Sequence, residues 1–212
     1  MNYSVVIVAA GSANRSKLGY NKNLFVLSDG ERVIDKTIKP FIDDIDCKEI
    51  IIVLKEDELD EIKCLDKIKT VKGGSARKDS VLNGLKEVKE EYVLIHDGAR
   101  PYLRKESLLD LKEALKENDA VILAHKAIET VKYVENGYIV KTIDRNNIYL
   151  AETPQAFKTS LILKAYEVLP DKEYTDEAMM IEALGEKVKI VVDEYDNPKL
   201  TKPEDFKWKL MK

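Results

Sequence analysis

The sequence predicts an α/β fold with a mostly parallel sheet flanked by helices, and three observations support this. Short apolar runs of strand length alternate along the chain with longer amphipathic segments of helix length. Their spacing is regular, as in repeated βαβ units. The first apolar run, Val5-Val6-Ile7-Val8, leads directly into a loop of small residues and cations. Open α/β sheets bind ligands at such strand ends.

Each element follows from its local pattern. Apolar runs bounded by polar or helix-starting residues predict strands at 3–8, 49–54, 69–71, 92–96, 120–124 and 187–192. Amphipathic segments between them predict helices at 33–42, 79–88, 105–117, 160–169 and 176–184. A chain of 212 residues supports one sizeable core, so we expect a single domain, 1–212.

One segment departs from this alternation. Residues 129–143 hold Asn136-Gly137 between two β-rich stretches, and this dipeptide favours the type I′ turn of a hairpin. Its large apolar side chains include Val131, Tyr133, Tyr138 and Val140. Because an isolated ribbon is marginal in water, the hairpin arm, about 129–145, is expected either to fold back on its own core or to pair with another subunit.

The composition excludes several classes of protein. The net charge of -4 comes from 35 basic and 39 acidic residues, which argues against general binding to nucleic acid or to membrane surfaces. No apolar run approaches the roughly 20 residues that span a bilayer, and the chain starts with a strand rather than a signal peptide. We therefore expect a cytoplasmic protein. Cys47 and Cys64 lie far apart without C-x-x-C or His neighbours, so zinc and redox chemistry have little support.

The loop after the first strand reads AAGSANRSKLGYNKNLF, residues 9–25. It contains neither the G-x-G-x-x-G of dinucleotide-binding loops nor the G-x-x-x-x-G-K-[ST] of P-loops. What it offers is small residues followed by Arg15, Lys17 and Lys22. Any anion site here must therefore depend on close backbone approach and on cations.

Two further stretches lie at expected strand ends. In GGSARKDSVLNGL, residues 73–85, paired glycines allow close approach to a ligand, and Asp79 or Ser80 can cap the next helix. In HDGARP, residues 96–101, an acid and a cation meet at the carboxyl edge of the sheet. We interpret His96 as a core histidine and Asp97 as a functional group.

The remaining stretches lie further along the chain. In DRNNIYLAETPQAF, residues 144–157, Thr153-Pro154-Gln155 is expected to form a constrained turn before the next helix. The segments TDEA, 175–178, and NPKLTKPEDF, 197–206, are typical of helix starts. Loop cations across all these stretches are Arg15, Lys17, Lys22, Arg100, Arg145 and Lys199. Such a set predicts a phosphate-rich substrate, since Arg binds phosphate as a fork and Lys as a point charge.

Taken in order, these stretches resemble the cytidylyltransferases of sugar-alcohol phosphates, and most of all the group that acts on 2-C-methyl-D-erythritol 4-phosphate. The matching motifs are the Ala-Ala-Gly loop with Arg15 and Lys22, GGSARKDSVLNGL, HDGARP, DRN before TPQAF, TDEA and NPKLTKPEDF. They cover nearly the whole chain. The sequence departs from many relatives at Asn21, usually Pro, at Glu152, often Gln, and at Pro198, usually Ile.

The resemblance implies a Rossmann-like sheet of the nucleotide-diphospho-sugar transferase type, and a homodimer that exchanges the hairpin arm. It implies CTP and a sugar-alcohol phosphate as substrates, with Mg²⁺ as cofactor and Asp97 as a possible metal ligand. The implied catalytic residues are Arg15, Lys22, Arg145 and Lys199. The implied nucleotide-binding residues are Ala9, Ala10, Gly11, Gly73, Ser80 and Ala99. The implied acceptor-binding residues are Asp97, Arg100, Thr130, Thr153 and Thr175, with Thr130 and Thr153 expected to reach the neighbouring subunit's substrate.

Two alternatives stay open. The ribitol 5-phosphate cytidylyltransferases share the chemistry, but that group often has Ser-Val in place of Gly98-Ala99. A non-catalytic nucleotide-binding module would keep the fold without the charges, whereas this chain keeps Arg15, Lys22, Arg145 and Lys199. A dinucleotide-dependent oxidoreductase is excluded because the glycine fingerprint is missing.

Overall fold

The computed structural model of the protein describes residues 1–11, 19–170 and 172–206. Arg15 and Lys17 of the first loop lie outside these residues. The strands of the main sheet are β1 (Tyr3–Val8), β2 (Cys47–Leu54), β3 (Ile68–Lys72), β4 (Tyr92–Asp97), β5 (Ala120–Lys126), β8 (Tyr149–Lys158) and β9 (Lys189–Val192). The helices are α1 (Val33–Ile42), α2 (Arg77–Leu85), α3 (Lys105–Leu115), α4 (Thr159–Val168) and α5 (Glu177–Ala183).

The seven strands form one sheet in the order β3-β2-β1-β4-β8-β5-β9. All its neighbouring pairs are parallel except those of β8, which runs antiparallel to both β4 and β5. This confirms the predicted fold class of a mostly parallel sheet flanked by helices. Every predicted strand and helix is present, with ends that differ by at most a few residues.

Strand β8 corrects one prediction. Thr153-Pro154-Gln155 was expected to be a turn, yet all three residues lie inside this buried strand. Proline is unusual in a central strand because it cannot donate to the ladder. Here the register with β5 is irregular between Ile122 and Ala124, opposite this stretch, and pairing with β4 begins only at Gln155. Pro154 therefore occupies a bulge, where the missing donor is tolerated.

Alternating side chains of the strands build a core on each face of the sheet. On β2, Ile50 and Ile52 join the cluster formed with α1 and α3, while Ile51 and Val53 join the cluster formed with α2, α4 and α5. Near-continuous apolar strands of this kind are typical of a sheet covered on both sides. The helices leave the ends of the strands uncovered, and the loops there can hold functional groups.

The hairpin consists of β6 (Val131–Glu135) and β7 (Tyr138–Ile143), which pair with each other in a separate two-stranded sheet. Asn136 and Gly137 both have positive φ, 49° and 83°, as the predicted type I′ turn requires. Large apolar side chains of the arm are exposed, including Tyr138 at 80 % and Ile139 at 64 %. In the part of the chain that the structure describes, no helix is long and apolar enough to cross a bilayer.

Candidate active site

A pocket of about 630 Å³ opens at the carboxyl ends of β1 and β4. The strand order reverses between these neighbours, since β2 and β3 lie on one side of β1 and the later strands lie beyond β4. Ligands of open α/β sheets bind in the crevice at such a switch point. The predicted site residues that line this pocket are Ala10, Gly11, Lys22, Ser80, Asp97, Ala99 and Lys199.

Charge distinguishes this pocket from a second cavity of about 560 Å³ between α1 and α3. Among the described residues, four cations line the switch-point pocket, Lys22, Lys55, Arg77 and Lys199, against one acid, Asp97. The second cavity has four basic and four acidic side chains, namely Lys36, Lys39, Arg104 and Lys105 with Glu31, Asp43, Asp44 and Glu106. Only the first therefore presents an excess of positive charge suited to a polyphosphate.

Small residues bring the loops on the nucleotide side close together. A Cβ on Gly73 would lie 2.5 Å from the Cβ of Ala10, which is too close for any larger residue. The amide of Gly73 donates to the carbonyl of Leu54 at 2.7 Å, which ties the loop to the end of β2. Gly73 and the buried Ala9 thus support the pocket from behind and do not line it.

Hydrogen bonds within residues 74–80 hold the loop that leads into α2. The Ser80 hydroxyl accepts from the amide of Gly74 at 3.1 Å and donates to the carbonyl of Ala76 at 3.0 Å. Asp79 lies in the first turn, where its carboxylate accepts from the amide of Ala76 at 3.0 Å. Ser80 therefore holds the loop shape that faces the pocket, and the cap comes from Asp79 three residues into the helix.

Asn21 positions Lys22. Its side chain is 1 % exposed and donates to the carbonyl of Ala9 at 2.9 Å and to Glu58 at 2.6 Å. Its amide oxygen accepts from the amide of Asn23 at 3.0 Å, which caps a short 3₁₀ turn over Lys22–Leu24. Lys22 in turn donates to the carbonyl of Leu200 at 2.6 Å. Asn21, where many relatives have Pro, thus fixes the lysine by buried hydrogen bonds.

Asp97 is surrounded by cations. Its carboxylate lies 2.8 Å from Nζ of Lys199, 3.5 Å from Nε of Arg100 and 3.9 Å from a terminal nitrogen of Arg77. Burial alone would raise the pKa of Asp97, but these cations outweigh it and hold the pKa well below its usual range. The carboxylate is therefore ionised at neutral pH and orients the cations.

Arg77 is a pocket residue that the sequence analysis did not select. Its guanidinium forms a bidentate pair with the buried Glu177 of α5, at 2.7 and 3.0 Å. Burial would lower the pKa of Arg77, but Glu177 and Asp97 raise it overall. A cation three residues after the glycine pair, in GGSAR, is the signal that could have identified it.

Two buried residues beside Asp97, His96 and Thr153, are held by hydrogen bonds within the protein. His96 is fully buried, and its ring nitrogens contact the Thr153 hydroxyl at 3.0 Å and the carbonyl of Arg100 at 3.3 Å. Burial lowers the pKa of His96 to about 4, so it is a neutral core histidine, as predicted. Thr153 also accepts from the amide of Asp97 at 3.0 Å. Because Thr153 lies inside the central strand, the expectation that it reaches a neighbouring subunit does not hold.

Three predicted residues, Thr130, Arg145 and Thr175, do not line this pocket. Thr130 and Arg145 flank the hairpin, are exposed, and do not line the pocket, and Arg145 donates to the carbonyl of Ile128. Thr175 is exposed just before α5, and its hydroxyl faces the sulfur of Met179 at 3.8 Å. Arg15 lies outside the described residues.

The fold and the pocket define an α/β nucleotide-binding protein whose switch-point crevice is built for phosphate. The family model for 2-C-methyl-D-erythritol 4-phosphate cytidylyltransferase matches residues 3–209. The chain therefore belongs to this family, which confirms the predicted class of nucleotidyltransferase.

Individual relatives and solved structures support this family membership. The 2-C-methyl-D-erythritol 4-phosphate cytidylyltransferase of Bacillus licheniformis is 42 % identical over 97 % of this chain and 93 % of its own length. The solved structure of the Francisella tularensis enzyme of the same name has a TM-score of 0.85 at 32 % identity, covering 99 % of both chains. That of the 4-diphosphocytidyl-2C-methyl-D-erythritol synthase of Anaerococcus prevotii has a TM-score of 0.84 at 35 % identity, covering 98 % of this chain and 95 % of its own.

Proposed function

We propose that the protein transfers a cytidylyl group from CTP to the phosphate of 2-C-methyl-D-erythritol 4-phosphate in isoprenoid precursor synthesis. The acceptor phosphate oxygen attacks the α-phosphorus of CTP, and the bond to pyrophosphate breaks. The products are 4-diphosphocytidyl-2-C-methyl-D-erythritol and pyrophosphate. The observation that carries this proposal, beside the family membership, is the switch-point pocket with four cations and one acid.

The main obstacle to this reaction is charge. Both substrates are anions, and the transition state gathers further negative charge on the phosphate oxygens. Preorganised cations stabilise such charge without reorganisation. Lys22, held by Asn21 and by the carbonyl of Leu200, is proposed to face the triphosphate and the leaving pyrophosphate. Arg15 is proposed to act beside it on the basis of the family motif.

The nucleotide side is proposed to read the cytosine and ribose through main-chain groups. The loops at Ala9, Ala10, Gly11 and Gly73 approach closely because they carry little or no side chain. Ser80 and Ala99 line the same pocket. A site that hydrogen-bonds the polar edge of one base rejects other bases strongly, since a mismatch leaves buried groups unpaired.

The acceptor side is proposed to lie around Asp97 and Lys199. Lys199 reaches the pocket while its Nζ stays 2.8 Å from the Asp97 carboxylate, so its direction is fixed before substrate binds. Asp97 can then accept from acceptor hydroxyls. Arg100 is 9 % exposed and donates to the carbonyl of Asn197 at 2.5 Å, which suits a supporting position. Thr175, exposed before α5, would complete the acceptor pocket.

No general base is required. A phosphate monoester has a second pKa near 6, so it is already an anionic nucleophile at neutral pH. The buried histidine beside the pocket is neutral there, and both its ring nitrogens have protein partners. Positioning and charge stabilisation are therefore the work left to the protein.

Mg²⁺ is proposed as cofactor. Among the described residues, no group of three or more His, Cys, Asp or Glu side chains could hold a metal by itself. This fits Mg²⁺, which usually binds through one or two carboxylates together with substrate phosphates. Asp97, the one acid among the described residues that line the pocket, would hold it. Bound there, the ion would neutralise phosphate charge in the transition state.

The hairpin arm is proposed to form a homodimer. Its apolar side chains are exposed on a ribbon that pairs with no other strand in the described part of the chain, and such a ribbon needs a covering surface. Thr130 and Arg145 at its base are proposed to reach the acceptor site of the second copy, where Arg145 would hold the acceptor phosphate. Ile139→Lys should then shift the purified protein from dimer to monomer in sedimentation and lower turnover, while a stable active monomer would contradict this.

The proposed reaction is tested by pyrophosphate release from CTP with methylerythritol phosphate and with ribitol 5-phosphate in parallel. We expect release with the first acceptor and little with the second, and CTP should be preferred over UTP. Release with ribitol phosphate alone would assign the chain to the sister activity. No release with either acceptor would favour a nucleotide-binding module.

A further inference from the structure

Glu152 on β8 is a buried acid that the proposed reaction does not use. Its side chain is 5 % exposed, although the pocket it supports carries mostly cations. Its Oε1 accepts from Nδ1 of His125 at 2.7 Å and lies 4.0 Å from Nη1 of Arg100. Its Oε2 accepts from the side-chain amide of Asn197 at 3.2 Å. Three groups that can donate thus converge on one side chain.

This convergence explains why a carboxylate suits the position. An ionised carboxylate only accepts hydrogen bonds, whereas the glutamine that many relatives carry would turn an NH₂ group toward one of the three donors. Burial raises the pKa of Glu152, while His125 and Arg100 act against that rise and Asp193 adds to it. His125 itself is 42 % exposed at the end of β5, so it joins the buried acid to the surface.

Asn197 transmits this contact toward the pocket. It is 2 % exposed, and its side-chain amide also donates to the carbonyl of Thr153 at 2.9 Å. Its own carbonyl accepts from Arg100 at 2.5 Å. The side chain of Asn197 is therefore held by β8, and its main chain is held by the loop after β4.

The segment that follows Asn197 carries groups of the acceptor side. Lys199 pairs with Asp97, and the amide of Leu200 donates to the carbonyl of Ala99 at 2.8 Å. The carbonyl of Leu200 accepts from Lys22. Residues 197–200 thus contain one proposed catalytic cation, Lys199, and bind a second, Lys22. Glu152 holds the first residue of this segment, Asn197.

We infer that Glu152, supported by His125, is a positioning residue that sets the acceptor side of the site through Asn197 and Arg100. The inference rests on the proposed function, because it concerns where Lys199 is held for the acceptor phosphate. The loops of the nucleotide side, after β1 and before α2, make no hydrogen bond or ion pair with Glu152 among the described residues. Its loss should therefore affect the acceptor far more than CTP.

The test is steady-state kinetics of Glu152→Ala and Glu152→Gln, with each substrate varied in turn. For Glu152→Ala we expect the KM of methylerythritol phosphate to rise at least about tenfold, as for loss of hydrogen bonds to a charged group. The KM of CTP should rise much less, since the nucleotide side meets this segment only through Leu200 among the described residues. Glu152→Gln, which still accepts from Asn197, should recover most of the loss.

Asp44→Ala is the matched control, because it also removes a partly buried carboxylate from a cation but at the opposite end of the sheet. It should lower stability without a selective change in either KM. If Glu152→Ala does not fold, His125→Ala and Glu152→Gln carry the test, with an acceptor-selective rise of about threefold expected from weakening one hydrogen bond. An equal rise in both KM values, or no change in either, overturns the inference. A wild-type protein without turnover refutes the proposed function instead.

Discussion

Two clusters of buried charge lie at opposite ends of the sheet, and their balance differs. At the amino end, Lys112 contacts two acids, Asp44 at 2.7 Å and Asp46 at 2.6 Å, and the Tyr3 hydroxyl also donates to Asp44. At the carboxyl end, Asp97 faces three cations, Lys199, Arg100 and Arg77. Two of these cations have a second acid nearby, since Arg77 pairs with Glu177 at 2.7 Å and Arg100 lies 4.0 Å from Glu152. The first cluster satisfies its cation with protein groups, whereas the second borders a pocket whose described lining holds four cations and one acid.

This difference separates structural ion pairs from functional ones. A buried ion pair in which every charge has a partner adds little net stability. Removing one partner is costly, because it leaves the other charge buried and uncompensated. A cluster with excess charge beside a cavity is stabilised further when an ion of opposite sign binds. Phosphate at the carboxyl end would supply that charge. The predictions below test this division, beginning with the largest expected effect.

Lys22→Ala should abolish turnover while CTP binding persists in part. Loss of one preorganised charge at the transition state costs about 10²–10³-fold in rate. The measurements are pyrophosphate release for kcat and calorimetry for CTP affinity. Lys39→Ala, on an exposed position of α1, is the control and should behave as wild type. Near-normal turnover of purified Lys22→Ala would count against the assigned role.

Lys199→Met should lower kcat/KM for the acceptor by about 10- to 100-fold, because a charge-assisted contact to phosphate is lost while the aliphatic stem remains. Asp97 would also lose its nearest cation, at 2.8 Å, so its negative charge would repel the acceptor phosphate more strongly. Kinetics at varied acceptor and saturating CTP measure the effect. An unchanged value would remove Lys199 from the acceptor site.

Lys112→Met should lower the free energy of unfolding by about 2 kcal/mol, between the values for surface and fully buried pairs. Two acids would be left without their shared cation. Urea denaturation measures the change, and kcat of the folded enzyme should match wild type. A selective loss of activity without loss of stability would break the division between the two clusters.

The smallest effect concerns the acid stability of the amino-end cluster. Burial alone would raise the pKa of Asp44, but hydrogen bonds from Lys112, the Asp46 amide and Tyr3 lower it below 3.8. A carboxyl group whose pKa is lowered on folding contributes stability above its unfolded pKa and loses it as the pH falls through the folded value. The difference in unfolding free energy between wild type and Asp44→Asn should thus be constant from about pH 5 to 8 and shrink below about pH 4. A difference that grows in acid would contradict the assigned pairing.

Much of the fold was predictable because its signals are local. Helix α1 spans the predicted residues, and Asn136-Gly137 forms the predicted turn. Strand β8 was missed because Pro154 and the charged Glu152 are atypical of a central strand. The bulge against β5 accommodates Pro154, and hydrogen bonds from His125 and Asn197 accommodate Glu152. Neither feature can be predicted from the residues next to them in the sequence.

Site residues were predictable where the motif of a single loop identifies them. They were not predictable where their role depends on partners from distant segments of the chain. Lys22 and Lys199 were selected from their loops, and the structure brings both to one pocket. Arg77 was passed over because its partner, Glu177, lies 100 residues away in the chain. The roles of Thr130 and Arg145 stay predictions, since they depend on a second copy of the chain.

The most direct test of the account compares Lys199→Met with Lys112→Met in one assay of pyrophosphate release, normalised to folded protein. We expect Lys112→Met to retain wild-type turnover and Lys199→Met to lose roughly 10-fold or more at limiting acceptor. Equal losses in the two variants would show that the excess charge at the carboxyl end has no special part in the reaction, and would contradict the account.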